Sequence, residues 1–464
     1  MKKRKKIILG SITGALALAL AGGGFWAYKT FVPQETPIDK NATVASNFYQ
    51  AVNKDWLLKT KIPADSPSID NFYTLDEDIK GKLKKDIKNL GEGKETSDIT
   101  GMSEFITFYK AASDYKQREK DGLEPLKPYL KEIEDIKDLN DLASKSASLT
   151  DKGIPLPFGY NVGTNAENTS QKQIQLSPPS ILLPDVSIYK DEASKKQYLT
   201  PIETATQKAL EMLGYSEKNS KRIVKEALEF DEIIAKYSLS NEEMSESKNL
   251  VHPKTAEEIN AYSGSFKLYD VIKGIMGRDL ETINVPNTKY FENYSKIVNQ
   301  DNFSKIKSWI LVQEAMAASN SLTEDYRLNF ASISMAIMGT QKPISKEDTV
   351  YEMSVNLFSD VMSVYYGRKY FGEEAKTDVT GMIDKIKNVY RGRLQQNDWL
   401  TEDTRNKAIE KLDKMKVFVG YQEDVDPGTK ELHLDPNKSF FELSEDIAQF
   451  GKRYTIDHFD DPID

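Results

Sequence analysis

Metal-assisted hydrolysis needs three protein ligands around a zinc ion, an open position for water and a carboxylate poised as general base. Imidazoles are the first residues to examine for such a set. The 464-residue chain has three histidines, His252, His433 and His458. Each is followed by a residue other than glutamate, and none has a second histidine four positions on. No helix can therefore present the paired imidazoles and intervening glutamate of an H-E-x-x-H site. Asp457-His458-Phe459-Asp460-Asp461 mixes imidazole with carboxylates, but with a single histidine it reads as an exposed acidic tail. Asp424, Asp426 and Asp435 stand at positions 1, 3 and 12 of a calcium-loop spacing. The glycine that such a loop needs is Thr429 and Pro427 intrudes, so this stretch reads as an ordinary turn. Gly159-Tyr160-Asn161-Val162-Gly163 lacks the Lys-Ser/Thr and helix start of a phosphate loop, which leaves a hairpin. There is no cysteine, hence no thiol nucleophile, disulfide or thiolate metal site, and no G-x-S-x-G occurs.

The elements that would hold any site are mostly helical by periodicity. Between Asp378 and Leu394 the residues Val379, Met382, Ile383, Ile386, Val389, Tyr390 and Leu394 recur at three- and four-residue spacings, which puts them on one helix face. Thr401 is the expected N-cap of the next helix, with Glu402 and Asp403 in its first turn and Ala408, Ile409, Leu412 and Met415 expected to be buried. Residues 155–176 differ: Phe158, Tyr160 and Val162 alternate, a polar stretch follows, and Ile174 and Leu176 resume, which predicts a β-hairpin ended by Ser177-Pro178-Pro179. The fold class is mainly α with one small sheet. Tyr365, Tyr366, Tyr370 and Phe371 are expected to fill a core.

A 39% hydrophobic content supports a large ordered body, and a net charge of -9 argues against a nucleic-acid partner, which would need a basic face. Five basic residues, Lys2 to Lys6, precede an uncharged run from Ile7 to Tyr28. The expected organisation is a basic cytoplasmic segment at 1–6, a signal anchor or signal peptide at 7–28, a stalk at 29–45 and a folded body at 46–464. That reading predicts a single-pass membrane anchor with the body outside, or a secreted form if the chain is cut after Ala19-Leu20-Ala21.

The stretch Asn47-Phe48-Tyr49-Gln50-Ala51-Val52-Asn53-Lys54-Asp55-Trp56-Leu57, with Ile62-Pro63 and Asn71-Phe72, resembles the opening of the neprilysin-like zinc metallopeptidases, the family of oligopeptidase O and the endothelin-converting enzymes. Leu182-Leu183-Pro184-Asp185 with Tyr189 is similar to that family's L-P-D-x-x-Y-Y element. Further matches are Met212-Leu213-Gly214, Glu226 through Ala235, Tyr366-Gly367-Arg368-Lys369-Tyr370-Phe371, Asn397-Asp398-Trp399-Leu400 and Gly420-Tyr421. Asp461-Pro462-Ile463-Asp464 resembles a segment that precedes the family's N-A-Y-Y and H-E-x-x-H motifs.

The resemblance implies the large helical cap of such an enzyme, truncated before the zinc-binding motif. It implies no catalytic residue, metal ligand or cofactor in this chain, with zinc and peptide substrates belonging to the complete enzyme. Two family arginines that bind the carboxyl end of the substrate correspond here to Ser68 and Asp76, which favours an endopeptidase preference. A body without cysteine suits a bacterial member. The alternative is a non-catalytic pseudo-peptidase that binds peptides or proteins.

Overall fold

The computed structural model describes residues 38–462. Its principal elements in chain order are α1 (Phe48–Lys59), α2 (Asn71–Gly91), α3 (Met102–Ser113), α4 (Leu139–Asp151), β1 (Gly159–Thr164), β2 (Lys172–Ser177), α5 (Glu192–Met212), α6 (Glu217–Tyr237), β3 (Pro253–Lys254), β4 (Ile283–Asn284), α7 (Phe303–Ala317), α8 (Glu324–Met338), α9 (Ser359–Tyr366), α10 (Gly372–Gln395), α11 (Glu402–Asp413) and α12 (Phe440–Asp457). The architecture is mainly helical, as the spacing of apolar residues predicts. The described residues divide into two compact units, one of residues 38–74, 114–346 and 437–462, the other of residues 75–113 and 347–436.

The first unit is organised around α7. Phe303, Ile306, Trp309, Ile310, Leu311, Val312 and Ala315 are all buried, so this helix is covered on nearly every side. α6 lies against it. Its N-cap Ser216 accepts from the Asn219 amide, and Ile223, Ala227, Phe230 and Ile234 form the buried stripe, with Phe230 edge-on to Trp309 at 5.9 Å. α12 joins the same unit through Phe441, which meets Tyr129 edge-on at 5.4 Å, and Phe440, which lies under the Arg118 guanidinium at 4.8 Å. The predicted hairpin forms as β1 and β2, with Tyr160 opposite Leu176 and Val162 opposite Ile174. β4 then pairs parallel to β2 and β3 antiparallel to β4, giving one four-stranded sheet in the order β1-β2-β4-β3.

The second unit has a smaller core. Leu83 and Ile87 of α2, Phe105 and Phe108 of α3 and Val361, Met362 and Val364 of α9 are buried, and Phe358 packs against both α3 phenylalanines at 5.8 Å. α9 passes into α10 through a π-helical turn, Gly367–Phe371. Glycine is required there by close approach: a Cβ on Gly367 would stand 2.0 Å from Tyr421 Cγ. Gly420, at φ +73°, lies equally tight against the Phe371 ring, where a Cβ would be 2.5 Å from Cε1. The matched pairs Gly367/Phe371 and Gly420/Tyr421 thus lock into one another.

Two expectations are corrected. The single-pass membrane anchor is not supported: among the described residues no helix is long and apolar enough to cross a membrane. Residues 7–28, on which that expectation rested, lie outside the described residues. The second correction concerns burial. Thr401 caps α11 as expected by accepting from the Thr404 amide, and Leu412 is buried, but Met415 is exposed. α10 has its apolar residues at helical spacing and yet buries none of them. Periodicity establishes that a face exists; only packing decides whether something covers it.

Candidate functional site

The three histidines occupy unrelated settings. His252 is held by its backbone, whose N–H donates to Asn284 Oδ1 at 2.7 Å while its carbonyl accepts from the Val285 amide. His433 is largely exposed, with Nδ1 3.9 Å from Glu104 Oε1. His458 stacks on Tyr454 at 3.9 Å, with Nδ1 2.9 Å from the Tyr454 carbonyl oxygen. Among the described residues no three His, Cys, Asp or Glu side chains converge as a metal-binding group. The donor set among the described residues does not fit a tetrahedral zinc site. Asp460 pairs with Arg278, and in the calcium-like stretch Asp424 pairs with Lys430 while residues Pro427–Glu431 wind into a helical turn.

The matched Leu182-Leu183-Pro184-Asp185 and Tyr189 converge on a residue the sequence reading did not single out, Asp231 of α6. Its buried carboxylate accepts the Leu182 amide at 3.1 Å, the Trp309 indole N–H at 3.1 Å and the Tyr189 hydroxyl. Burial pushes its pKa up to about 6, against the pull of these donors. The signal was present: Ala227, Asp231 and Ile234 share the buried face of α6, and an aspartate at such a position needs partners. Asp185 does a parallel job, capping Ser187 and accepting the Asn241 amide at 2.8 Å. These contacts fasten a loop to the helical core and are structural.

Ser68 and Asp76, the positions expected to face substrate, are both exposed. Ser68 lies in the first unit, in the loop before α2, where its carbonyl accepts the Ser66 hydroxyl at 2.7 Å. Asp76 lies in the second, at an exposed position of α2. The neighbouring Lys80 serves Glu77, Asp348 and Glu352 at 2.9–3.3 Å. No cation pairs with Asp76 among the described residues, and its charge helps to raise the pKa of Tyr351, which burial raises first.

In the second unit the residues carrying the late resemblance build a charged anchor. Lys369 sits 2.9 Å from Asp86, Glu95 and the Tyr365 hydroxyl. Burial alone would lower the lysine's pKa, but these bonds override it and raise it. The Tyr370 hydroxyl donates to Asp86 at 2.7 Å, and its pKa is pushed up to about 12 by burial and that carboxylate. The same unit exposes several apolar side chains: Met382, Ile386, Val389 and Tyr390 of α10, then Trp399, 78% exposed, and Phe418, 89% exposed. In the first unit α1 likewise buries nothing, and Phe48, Tyr49 and Val52 are each at least 60% exposed. Apolar stripes of this kind mark faces built for contact.

A family model, Peptidase family M13, matches residues 44–422. The neutral endopeptidase of Lactobacillus helveticus is 32% identical over 427 residues, covering 92% of this chain and 66% of the relative. That of Lactococcus lactis subsp. lactis is 28% identical over 419 residues, covering 90% and 66%. Among solved structures, PEPO from Lactobacillus rhamnosis aligns with a TM-score of 0.85 at 23% identity, over 91% of this chain and 67% of that one. Zinc metalloprotease ZMP1 of Mycobacterium tuberculosis, in complex with inhibitor, aligns at 0.79 and 19% identity, over 92% and 65%. The chain spans 66% of the length of these two endopeptidase relatives.

Proposed function

Since the chain belongs to peptidase family M13, we propose that it is the substrate-enclosing, largely helical portion of a neprilysin-like zinc metalloendopeptidase. The observation that carries this reading is the family match across residues 44–422. In the complete enzyme a zinc-activated water would cleave the peptide bond, the zinc held by residues outside those described. The present residues would supply walls and contacts that limit which peptides enter. The exposed stripes on α1 and α10 are faces that such an assembly would cover. Ser68 and Asp76 take the positions of the carboxyl-binding arginines, and the unpaired charge of Asp76 disfavours a peptide carboxylate, which supports cleavage within a chain over recognition of its end.

A chimera tests this. The matching portion of the Lactobacillus helveticus neutral endopeptidase is replaced by this chain, and cleavage is followed on peptides of increasing length. Hydrolysis of short peptides with a steep loss for folded proteins is expected. Equal cleavage of folded proteins would remove the enclosing role. The second reading is a non-catalytic peptide- or protein-binding chain. A chimera that folds, binds zinc and still cleaves nothing would select it.

A further inference from the structure

The sheet order leaves β1 at an edge, with β2 along one side. The bond from the Asn165 amide to the Gln171 carbonyl fixes the phase of the ladder. In an antiparallel pair, hydrogen-bonded and non-hydrogen-bonded positions alternate. Counting back from Asn165, residues Gly163, Asn161 and Gly159 face β2, and Tyr160, Val162 and Thr164 turn their N–H and C=O groups outward. No partner for these outward groups is found among the described residues. An exposed row of this kind is a template for another strand.

At the end of the same sheet, where β1 begins and β2 and β4 finish, opens a cavity of about 700 Å³. Tyr160 and Asn161 line it, so it is continuous with the open edge. Its walls combine rigid apolar groups, among them Pro179 and Pro286, with the amides and hydroxyl of Asn161, Gln175 and Ser177. The charged residue on the wall is Asp185, whose oxygens each accept one backbone bond, from the Ser187 and Asn241 amides. Gln175 leans over Gly163, where a Cβ would come within 2.7 Å of its Nε2. Apart from the Asp185 carboxylate, the lining is uncharged and offers hydrogen bonds.

We propose that this edge and cavity form a binding site for an extended stretch of peptide without acidic side chains, which adds as a fifth strand alongside β1 and places a side chain in the cavity. Backbone alternation supplies the recognition, because a strand is the ligand that presents donors and acceptors at the spacing of Tyr160, Val162 and Thr164. The Asp185 carboxylate is the one charged group among the lining residues, so the cavity selects against acidic side chains. This site does not rest on the enclosing role proposed above, since it is read out by binding to this chain without cleavage.

The probe is a fluorescein-labelled hexapeptide of alternating valine and threonine, acetylated and amidated, with a polyethylene glycol tail. Saturable anisotropy is expected with the whole chain, together with slowed exchange of the Val162 and Thr164 amides. Methylating alternate peptide nitrogens should weaken binding about tenfold or more, the loss expected when two hydrogen bonds go. Thr164→Pro deletes an outward N–H and leaves the β2 ladder intact, so it should weaken binding severalfold with an unchanged melting temperature. Asn161→Arg, at an exposed position, should block the cavity and lower affinity further. Absence of saturable binding, or equal binding of the methylated peptide, overturns the proposal.

Discussion

At the scale of single residues, the buried carboxylates carry the sharpest consequences. Removing Asp231 leaves the Leu182 amide, the Trp309 indole and the Tyr189 hydroxyl without their shared acceptor. Asp231→Ala is expected to cost about 3 kcal/mol or more, measured by urea denaturation near pH 7. A loss below about 1 kcal/mol would show that the loop refastens elsewhere. Glu314 of α7 and Glu445 of α12 form a second case. Burial pushes Glu314 up to about 8, with the Glu445 charge adding to it, and Glu445 up to about 7, with Lys452 pulling the other way. Burial in turn lowers Lys452, and Tyr129, Tyr326, Asp151 and Asp446 stand nearby. Both folded carboxyls lie above the ordinary value of 4.5. Their stabilising contribution is therefore full below about pH 4.5 and is lost as pH rises through 7 to 8. Glu314→Gln should match the parent near pH 5 and melt about 2 °C or more higher at pH 8.5. Parallel pH profiles of the two proteins would contradict this assignment.

At the scale of elements, the π-turn between α9 and α10 and the bare face of α10 respond oppositely to substitution. Gly367→Ala drives a methyl into the Tyr421 ring and is expected to cost about 2 kcal/mol or more. Gly381→Ala, in the middle of α10 with open space around it, should stabilise by up to about 1 kcal/mol. Equal effects at the two sites would show that the turn relaxes. Ile386→Glu with Val389→Ser should leave the urea midpoint almost unmoved, because neither side chain is buried, and should reduce self-association in sedimentation. Amide exchange divides the helices similarly. α1 buries nothing and should exchange fast; α6 and α7 should be the slowest. α12, anchored by Phe440, Phe441 and Leu443, should be protected through its first turns.

For the whole molecule, the decisive quantity is the stoichiometry of zinc. The three histidines are tied to separate neighbours, and no three-ligand cluster exists among the described residues. The purified chain is expected to bind no stoichiometric zinc and to cleave no peptide. Elemental analysis finding about one zinc per chain, with chelator-sensitive hydrolysis by homogeneous protein, would refute that expectation and with it the non-catalytic assignment of these residues.

Local chemistry made much of the fold legible. Three- and four-residue spacing predicted the long helices, strict alternation around Tyr160 and Val162 predicted the hairpin, and Thr401 marked a helix start, because each depends on neighbours within a few positions. The ordered family motifs did the same for kinship. What the linear pattern left undecided was what each residue faces. Asp231 became a hub only when Leu182 and Tyr189 of one loop and Trp309 of α7 arrived from two other segments. The outward row of β1 exists because β4 pairs with β2 on the far side and leaves this edge open. The stripe on α10 looks the same in sequence as the buried stripe on α6. Burial is a property of two surfaces, and a sequence read one element at a time supplies only one of them.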